Sequence, residues 1–159
     1  RRQVLPAAPP EESGGIDMQV RDLMSSSVVS IAPGESAALA ARLLARHNIG
    51  SLPVCGTDGR LRGIVTDRDI VLRCVAAEED PAQTLVREIM TRGCATISPQ
   101  DDCRAATQLM ARQQVRRLPV VEGGKLVGIV SLADLARSQR FDMEAAQALG
   151  EISENIVRR

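Results

Sequence analysis

The chain has 159 residues, of which 44% are hydrophobic, and this suffices for one compact domain or for two small units that share a core. Its 20 basic and 20 acidic side chains give a formal net charge of zero, so no general field draws it to nucleic acid or to an anionic membrane. Trp and Tyr are absent and Phe141 is the only phenylalanine, which excludes the stacking platforms of single-strand binders and predicts an aliphatic core.

The cysteines and the single histidine show no metal-binding spacing. No C-x-x-C pair occurs among the four cysteines, and His47 has no Cys, Asp or Glu three or four positions away. We therefore expect no metal site and reduced thiols that serve as small core residues. Because neither a secretory segment nor a membrane-spanning apolar run is present, we predict a cytoplasmic protein.

The chain divides into four predicted segments. Residues 1–17 are rich in Pro, Gly and charge and lack an apolar period, which predicts a flexible tail. Two copies of one unit are predicted to follow at residues 18–80 and 81–138. Residues 139–159 are predicted to form a C-terminal amphipathic helix.

A sequence repeat defines the two units. Residues 20–54 align with residues 86–120 without a gap, and twelve of these positions are identical. After the LPV motif the offset shortens by one residue, so that GIVT in the first copy aligns with GIVS in the second. A repeat of this length that occurs twice predicts an internal duplication packed as a pseudo-symmetric pair.

Each copy predicts the element order β-α-β-β-α. A β-branched run precedes a Pro, and in the first copy Ser36 is expected to cap the helix that follows. A strand beginning at Leu52 and a second strand ending at Thr66 are expected to form a hairpin, followed by the last helix. The predicted fold class is α+β, with the sheets of the two units packed face to face and a groove between them.

The junction between the second strand and the last helix is the most polar part of each unit. In GIVTDRDI, Thr66 ends the strand and Asp69 follows three residues later, and Ser131 and Asp134 are their counterparts. A hydroxyl and a carboxylate at this spacing can hold a cis-diol such as ribose, while Arg68 can meet phosphate. The pattern S/T-x-x-D also describes a helix capping box, so helix initiation alone is the alternative.

The motifs IGSLPV and VRRLPV precede the hairpins, GIVTDRDI and GIVSLADL follow them, and all occur in the same order in both copies. In this the chain closely resembles a tandem of cystathionine β-synthase (CBS) domains, the Bateman module, over about residues 18–138. It is most similar to the small stand-alone bacterial members, including the hypoxic-response type. The resemblance implies that an adenine nucleotide binds in the groove as a regulatory ligand and that no cofactor is required.

The resemblance also implies roles for single residues. It places ribose hydroxyls on Asp69 and Asp134, assisted by Thr66 and Ser131. The base is expected against the opening segment of the other unit, and phosphate is expected on nearby basic side chains. The implied base contacts are Val28, Val29, Cys94 and Ala95, and the implied phosphate contacts are Arg68, Arg116 and Arg117.

The two expected sites differ in their cations. In site one, built around Asp69, the neighbouring Arg68 supplies a positive charge. In site two, built around Asp134, an alanine replaces that arginine, but Arg116 and Arg117 precede Leu-Pro. Site two therefore suits a di- or triphosphate, and site one a monophosphate or no ligand. The alternative for both arginines of site two is that they are solvated surface residues.

Two functions remain open, and neither is catalytic. His47 has no partner for a catalytic triad, and the acidic pair Asp67 and Asp69 is not repeated because Leu132 stands in the second copy. The first hypothesis is a nucleotide sensor in which ligand changes the angle between the units and an unidentified protein partner detects the change. The second is an assembly module with an empty groove, whose function lies in its dimer and partners.

The C-terminal helix bears on both hypotheses. Its apolar residues recur at three- and four-residue steps and form one face. This face either packs on its own unit or reaches a second protomer, since the resemblance implies a homodimer. The residues concerned are Phe141, Ala145, Ala148, Leu149, Ile152 and Ile156.

Overall fold

The structure is a computed structural model that describes residues 18–138 and 142–157. The predicted tail at residues 1–17 therefore lies outside the described residues, as does Phe141. The helices are α1 (Val20–Leu23), α2 (Ala37–His47), α3 (Asp67–Ile70), α4 (Val86–Ile89), α5 (Cys103–Gln113), α6 (Leu132–Arg137) and α7 (Asp142–Val157), and a π-helical turn at Val71–Val75 continues α3. The strands are β1 (Ser51–Cys55), β2 (Leu61–Thr66), β3 (Arg117–Glu122) and β4 (Lys125–Ser131).

Both units form the predicted antiparallel hairpin. Leu52 of β1 lies opposite Val65 of β2, and Leu118 of β3 lies opposite Val130 of β4. All four side chains are buried in the hydrophobic cores of their units. The two hairpins also touch at their turns, where the amide of Leu61 donates to the carbonyl of Gly124 over 3.3 Å.

The predicted opening strands are reduced to single bridges. Ile31 pairs in parallel with Val54, and Ile97 pairs in the same way with Val120. Pro53, which precedes Val54 in β1, accepts the Ile31 N–H at 3.0 Å but has no N–H to donate. The ladder therefore stops after one residue, although the opening segment does lie beside β1.

The first long helix begins where the sequence predicted. The Ser36 hydroxyl accepts the Leu39 N–H at 3.1 Å, so the predicted cap of α2 is confirmed. Asn48 caps the C-terminus of the helix, and its φ of 50° places it in the left-handed region that terminates helices. The buried face of α2 carries Ala37, Ala40 and Leu44.

Each unit has a hydrophobic core that includes a short helix from the other unit. Val20 of α1 packs with Met110 in the second core, and its amide donates to the Asp101 carbonyl over 2.9 Å. Val86 of α4 packs in the first core, and its amide donates to the Glu35 carbonyl over 2.8 Å. The predicted boundary after residue 80 thus separates the two sequence repeats. It does not separate the two cores, because α1 of the first repeat packs in the second core and α4 of the second repeat packs in the first.

Helix α7 packs on its own unit. Ala145 and Ala148 are each 3% exposed and belong to the same core as Leu132 and Leu135 of α6. Ile152 is also buried, whereas Leu149 is 41% exposed. Of the two possibilities for the C-terminal helix, the described side chains show the intramolecular one. None of the helices within residues 18–138 and 142–157 is long and apolar enough to cross a membrane.

Candidate functional site

Both S/T-x-x-D motifs form complete capping boxes. In the first unit the Thr66 hydroxyl accepts the Asp69 N–H at 3.0 Å, and Asp69 Oδ2 accepts the Thr66 N–H at 3.0 Å. Ser131 and Asp134 make the same pair of bonds at the same distances. The capping interpretation is therefore confirmed, but it uses only one oxygen of each carboxylate. The other oxygen, Oδ1, remains for a further donor.

Site two is an open cleft between the units. Its volume is about 370 Å³, and Ser131 and Asp134 of the second unit face Val28 and Val29 of the first across it. Arg117, directly opposite Ser131 in the β3–β4 hairpin, also lines the cleft. The structure therefore brings together in site two the residues expected to contact ribose and base and one of the two expected phosphate contacts, Arg117, whereas Arg116 does not line this cleft. The other lining residues are Ser25, Ser27, His47, Ile49, Ser51, Pro53, Ile129 and Arg137.

Asp134 has an exposed cationic neighbour in this cleft. Arg137 Nη2 donates to Asp134 Oδ1 over 2.9 Å, and the side chains are 75% and 23% exposed. Arg137 Nε also donates to the Ala133 carbonyl within α6, over 3.3 Å. An ion pair this exposed contributes little free energy, so an incoming ligand can displace Arg137 at small cost.

Site one is enclosed. Asp69 is only 8% exposed, and its Oδ1 lies 3.4 Å from Thr91 Oγ1 and 4.0 Å from Arg73 Nε. Arg73 Nη1 also donates to the carbonyls of Ile89 and Met90, over 3.1 and 3.2 Å. The carboxylate expected to hold ribose is therefore surrounded by groups of its own chain.

A second cleft adjoins Thr66 but does not reach Asp69. It has a volume of about 360 Å³, and Arg116 and Arg117 contribute to its lining. Arg117 thus faces both clefts, and both arginines lie beside a groove even though their side chains are exposed. Thr66 is the only one of the residues expected in site one that lines this cleft.

The remaining residues expected in site one do not line the cleft beside Thr66. Arg68 is exposed and lines neither of these two clefts. Cys94 lines a separate cleft of about 280 Å³ together with Arg60 and Arg62. Ala95 packs against the core of the second unit. The structure therefore assembles the expected residues in site two, except Arg116, but not in site one.

Eight residues of the site-two cleft were not expected from the sequence, and three of them bear on its chemistry. His47 ends α2 and Ser51 begins β1, and both belong to the first unit, yet they line the cleft that contains Asp134 of the second unit. Ser51 is the repeat counterpart of Arg117, so the duplication itself could have indicated that both meet at the groove. Arg137 follows Asp134 by three residues on α6, a spacing that brings side chains together on a helix.

Burial affects the titration of three thiols. Burial raises the pKa of Cys55 and of Cys94, with Asp58 adding to the effect at Cys55. Burial, helped by the nearby carboxylates Asp102 and Asp22, raises the pKa of the Cys103 thiol to about 11. Among the residues that the structure describes, no group of three or more His, Cys, Asp or Glu side chains could hold a metal ion.

The family model for the CBS domain matches residues 20–75 and 86–140. The chain belongs to the CBS domain family. Its two CBS domains stand in tandem, as the repeat predicted. This CBS pair is similar to the CBS domain-containing protein YhcV of Bacillus subtilis (strain 168), with 42% identity over 138 residues that cover 87% of this chain and 97% of that protein.

Solved structures confirm the α+β fold. The CBS pair resembles the crystal structure of Hypoxic Response Protein I with two coordinated zinc ions, with a TM-score of 0.71, 37% identity, and coverage of 76% of this chain and 98% of that one. It also resembles the CBS domain pair of protein MJ0100 in complex with 5′-methylthioadenosine and S-adenosyl-L-methionine. There the TM-score is 0.67 at 30% identity, covering 76% of this chain and 94% of that one.

Proposed function

We propose that this CBS pair is a non-catalytic regulatory module that binds an adenosyl nucleotide of the AMP, ADP or ATP class in site two. One observation carries the proposal. The second oxygen of Asp134, the Ser131 hydroxyl and the apolar pair Val28 and Val29 share one open cleft between the units. The adenosyl ligands of the related MJ0100 pair support this ligand class.

The chemistry of site two matches the parts of such a ligand. The cis-diol of ribose donates to Asp134 Oδ1 and replaces the Arg137 guanidinium there. The adenine ring lies against Val28 and Val29, where it loses contact with water. The 5′ phosphates face Arg117, whose planar guanidinium can bind two phosphate oxygens at once.

Signalling follows from the position of the cleft. Its walls come from both units, so a ligand that contacts Asp134 and Val28 together binds best to one arrangement of the two. Binding then shifts the population towards that arrangement, and a protein partner that prefers it responds.

A homodimer is part of the proposal. Val71, Leu72 and Val75, which we call the first-unit face, are 55%, 50% and 59% exposed. In the second unit α7 packs against α5 and α6, but no described helix plays that role over the first-unit face. We place the contact with a second copy there, because contiguous exposed apolar residues on a soluble protein mark an interface.

Isothermal titration calorimetry with AMP, ADP, ATP and S-adenosylmethionine tests the ligand. Asp134→Ala is expected to lower affinity tenfold to a hundredfold, since a charged hydrogen-bond acceptor is worth roughly 1.5 to 3 kcal/mol. Ser36→Ala is the matched control, because it also removes a helix cap but lies outside both clefts. Its affinity should equal that of the unmodified protein.

Two results would contradict the ligand proposal. Equal affinities of the Asp134→Ala variant and the unmodified protein would remove site two from the binding reaction. Absence of heat and of a thermal shift with every ligand would favour the alternative, an assembly module that acts through its dimer with an empty cleft.

A further inference from the structure

The free carboxylate oxygens of the two motifs have unlike surroundings. Asp134 Oδ1 accepts from Arg137, a side chain that is 75% exposed. Asp69 Oδ1 faces both Arg73 Nε and Thr91 Oγ1, and the Asp69 side chain is 11% exposed against 23% for Asp134. The repeat counterpart of Thr91 is Ser25, whose hydroxyl donates to the Ser27 carbonyl over 3.5 Å rather than to Asp134.

Arg73 is held from a second side. Its Nη1 donates to the carbonyls of Ile89 and Met90, at the end of the short helix α4 that the second unit contributes to the first core. Ile89 and Met90 are 2% and 6% exposed. The guanidinium is therefore held by two backbone carbonyls as well as by Asp69, although the Arg73 side chain is 51% exposed. Arg137 has no comparable anchor, since its carbonyl partner Ala133 lies in the same helix.

Arg73 lies in the π-helical turn, a segment that has no counterpart in the second unit. Helix α6 ends at Arg137 and is followed by Ser138, which aligns with Arg73. In the first unit the helix instead continues through Val71–Val75, and the Ala76 N–H bonds to the Val71 carbonyl five residues back over 2.8 Å. Such turns hold one residue more than an α-helical turn and recur at functional sites.

We infer that Arg73 is a built-in blocking residue that closes site one, so that each chain binds a single nucleotide, in site two. The inference rests on the proposed function, since it assigns the number of ligands. The Arg73 guanidinium and the Thr91 hydroxyl occupy the surroundings of Asp69 Oδ1 that the ribose hydroxyls would need. The cavity beside site one accordingly reaches Thr66 but not Asp69.

The experiment counts the AMP molecules bound per chain by isothermal titration calorimetry. Because the chain has no Trp or Tyr, protein concentration is set by amino-acid analysis rather than by ultraviolet absorbance. The unmodified protein is compared with Arg73→Ala and with Arg73→Met. The methionine variant keeps most of the aliphatic stem and serves if the alanine variant does not fold. Arg21→Ala is the charge-matched control, since Arg21 is exposed on α1 and lines neither cleft.

We expect one equivalent of AMP for the unmodified protein and for Arg21→Ala, and two for a folded Arg73 variant. Adding Asp69→Ala to the Arg73 variant should return the count to one, an effect that loss of stability alone does not produce. Two equivalents in the unmodified protein, or one in both folded Arg73 variants, would overturn the inference. Binding by the Arg73 variants alone would keep the blocking role and refute site two, whereas no binding by any protein would overturn both.

Discussion

Arg137 Nη2 lies 2.9 Å from Asp134 Oδ1, so in site two the oxygen proposed to accept the ribose hydroxyls is bonded to an exposed guanidinium. A neutral adenosine must break this pair and has no phosphate to offer Arg137 in return. Exposed ion pairs are worth about 0.2 to 1 kcal/mol, so Arg137→Ala should raise adenosine affinity by roughly 1.4- to 5-fold. Calorimetry with adenosine measures the change, and weaker binding by the variant would show that Arg137 contacts the nucleoside directly.

The first-unit face predicts the site of dimerisation. Leu72→Asp places a charge among Val71 and Val75 and should dissociate the dimer, because an unpaired carboxylate is costly to bury at an apolar contact. Analytical ultracentrifugation should then give the chain mass of 17.1 kDa instead of twice that value. Leu149→Asp on α7 is the matched control and should remain dimeric. Dissociation by the Leu149 variant alone would move the interface to α7.

Gly63 in β2 lies where the structure leaves no room for a larger side chain. A Cβ at this position would collide with the Thr91 carbonyl oxygen, across the bridge that ties β2 to the second unit. Gly63→Ala should lower the free energy of unfolding by about 1 to 3 kcal/mol. A Cβ at Gly150 of α7 would have no neighbour within 4 Å, so Gly150→Ala should raise the free energy of unfolding by about 0.5 to 1 kcal/mol. Urea unfolding of both variants checks the pair, and equal stability of the Gly63 variant and the unmodified protein would contradict the packing.

Cys103 predicts a loss of stability in alkaline solution. Its folded pKa of about 11 exceeds the ordinary value of 9.0, so the neutral thiol is favoured by folding. The unfolded chain loses this proton first as the pH rises above 9.0, and stability therefore falls between pH 9.0 and about 11. At the upper end the loss from this group approaches about 2 to 3 kcal/mol. In urea unfolding, the free energy of unfolding of Cys103→Ala should fall less steeply with pH over the same range. Parallel curves of stability against pH for the variant and the unmodified protein would contradict the assignment.

Strong local signals in the sequence predicted the hairpins and the helix caps. Ser36 and the pair Ser131 and Asp134 were recognised because capping depends on residues within one turn. The same locality explains why one pattern supported two interpretations of Asp134. A capping box uses one carboxylate oxygen, so it is compatible with a ribose contact on the other.

The parts that the sequence did not predict depend on contacts distant in the chain. The four-residue helices α1 and α4 carry too few apolar residues to indicate which core they enter. Arg73 follows Asp69 by four residues, a spacing that indicates their proximity on a helix, but its bonds to the Ile89 and Met90 carbonyls could not be predicted. The opening segments have a strand-like composition, but a proline in the neighbouring strand limits Ile31 to one bridge, and only the pairing reveals this.

The exchange of α1 and α4 makes the two halves a single folding unit. A fragment ending at residue 80 would lack Val86 and Ile89, which fill its core, and would carry Val20 with no core to enter. A single unit on its own could fill its core with the short helix of a second copy, which requires a bimolecular encounter. In the tandem chain the covalent link holds that helix at a high effective concentration instead.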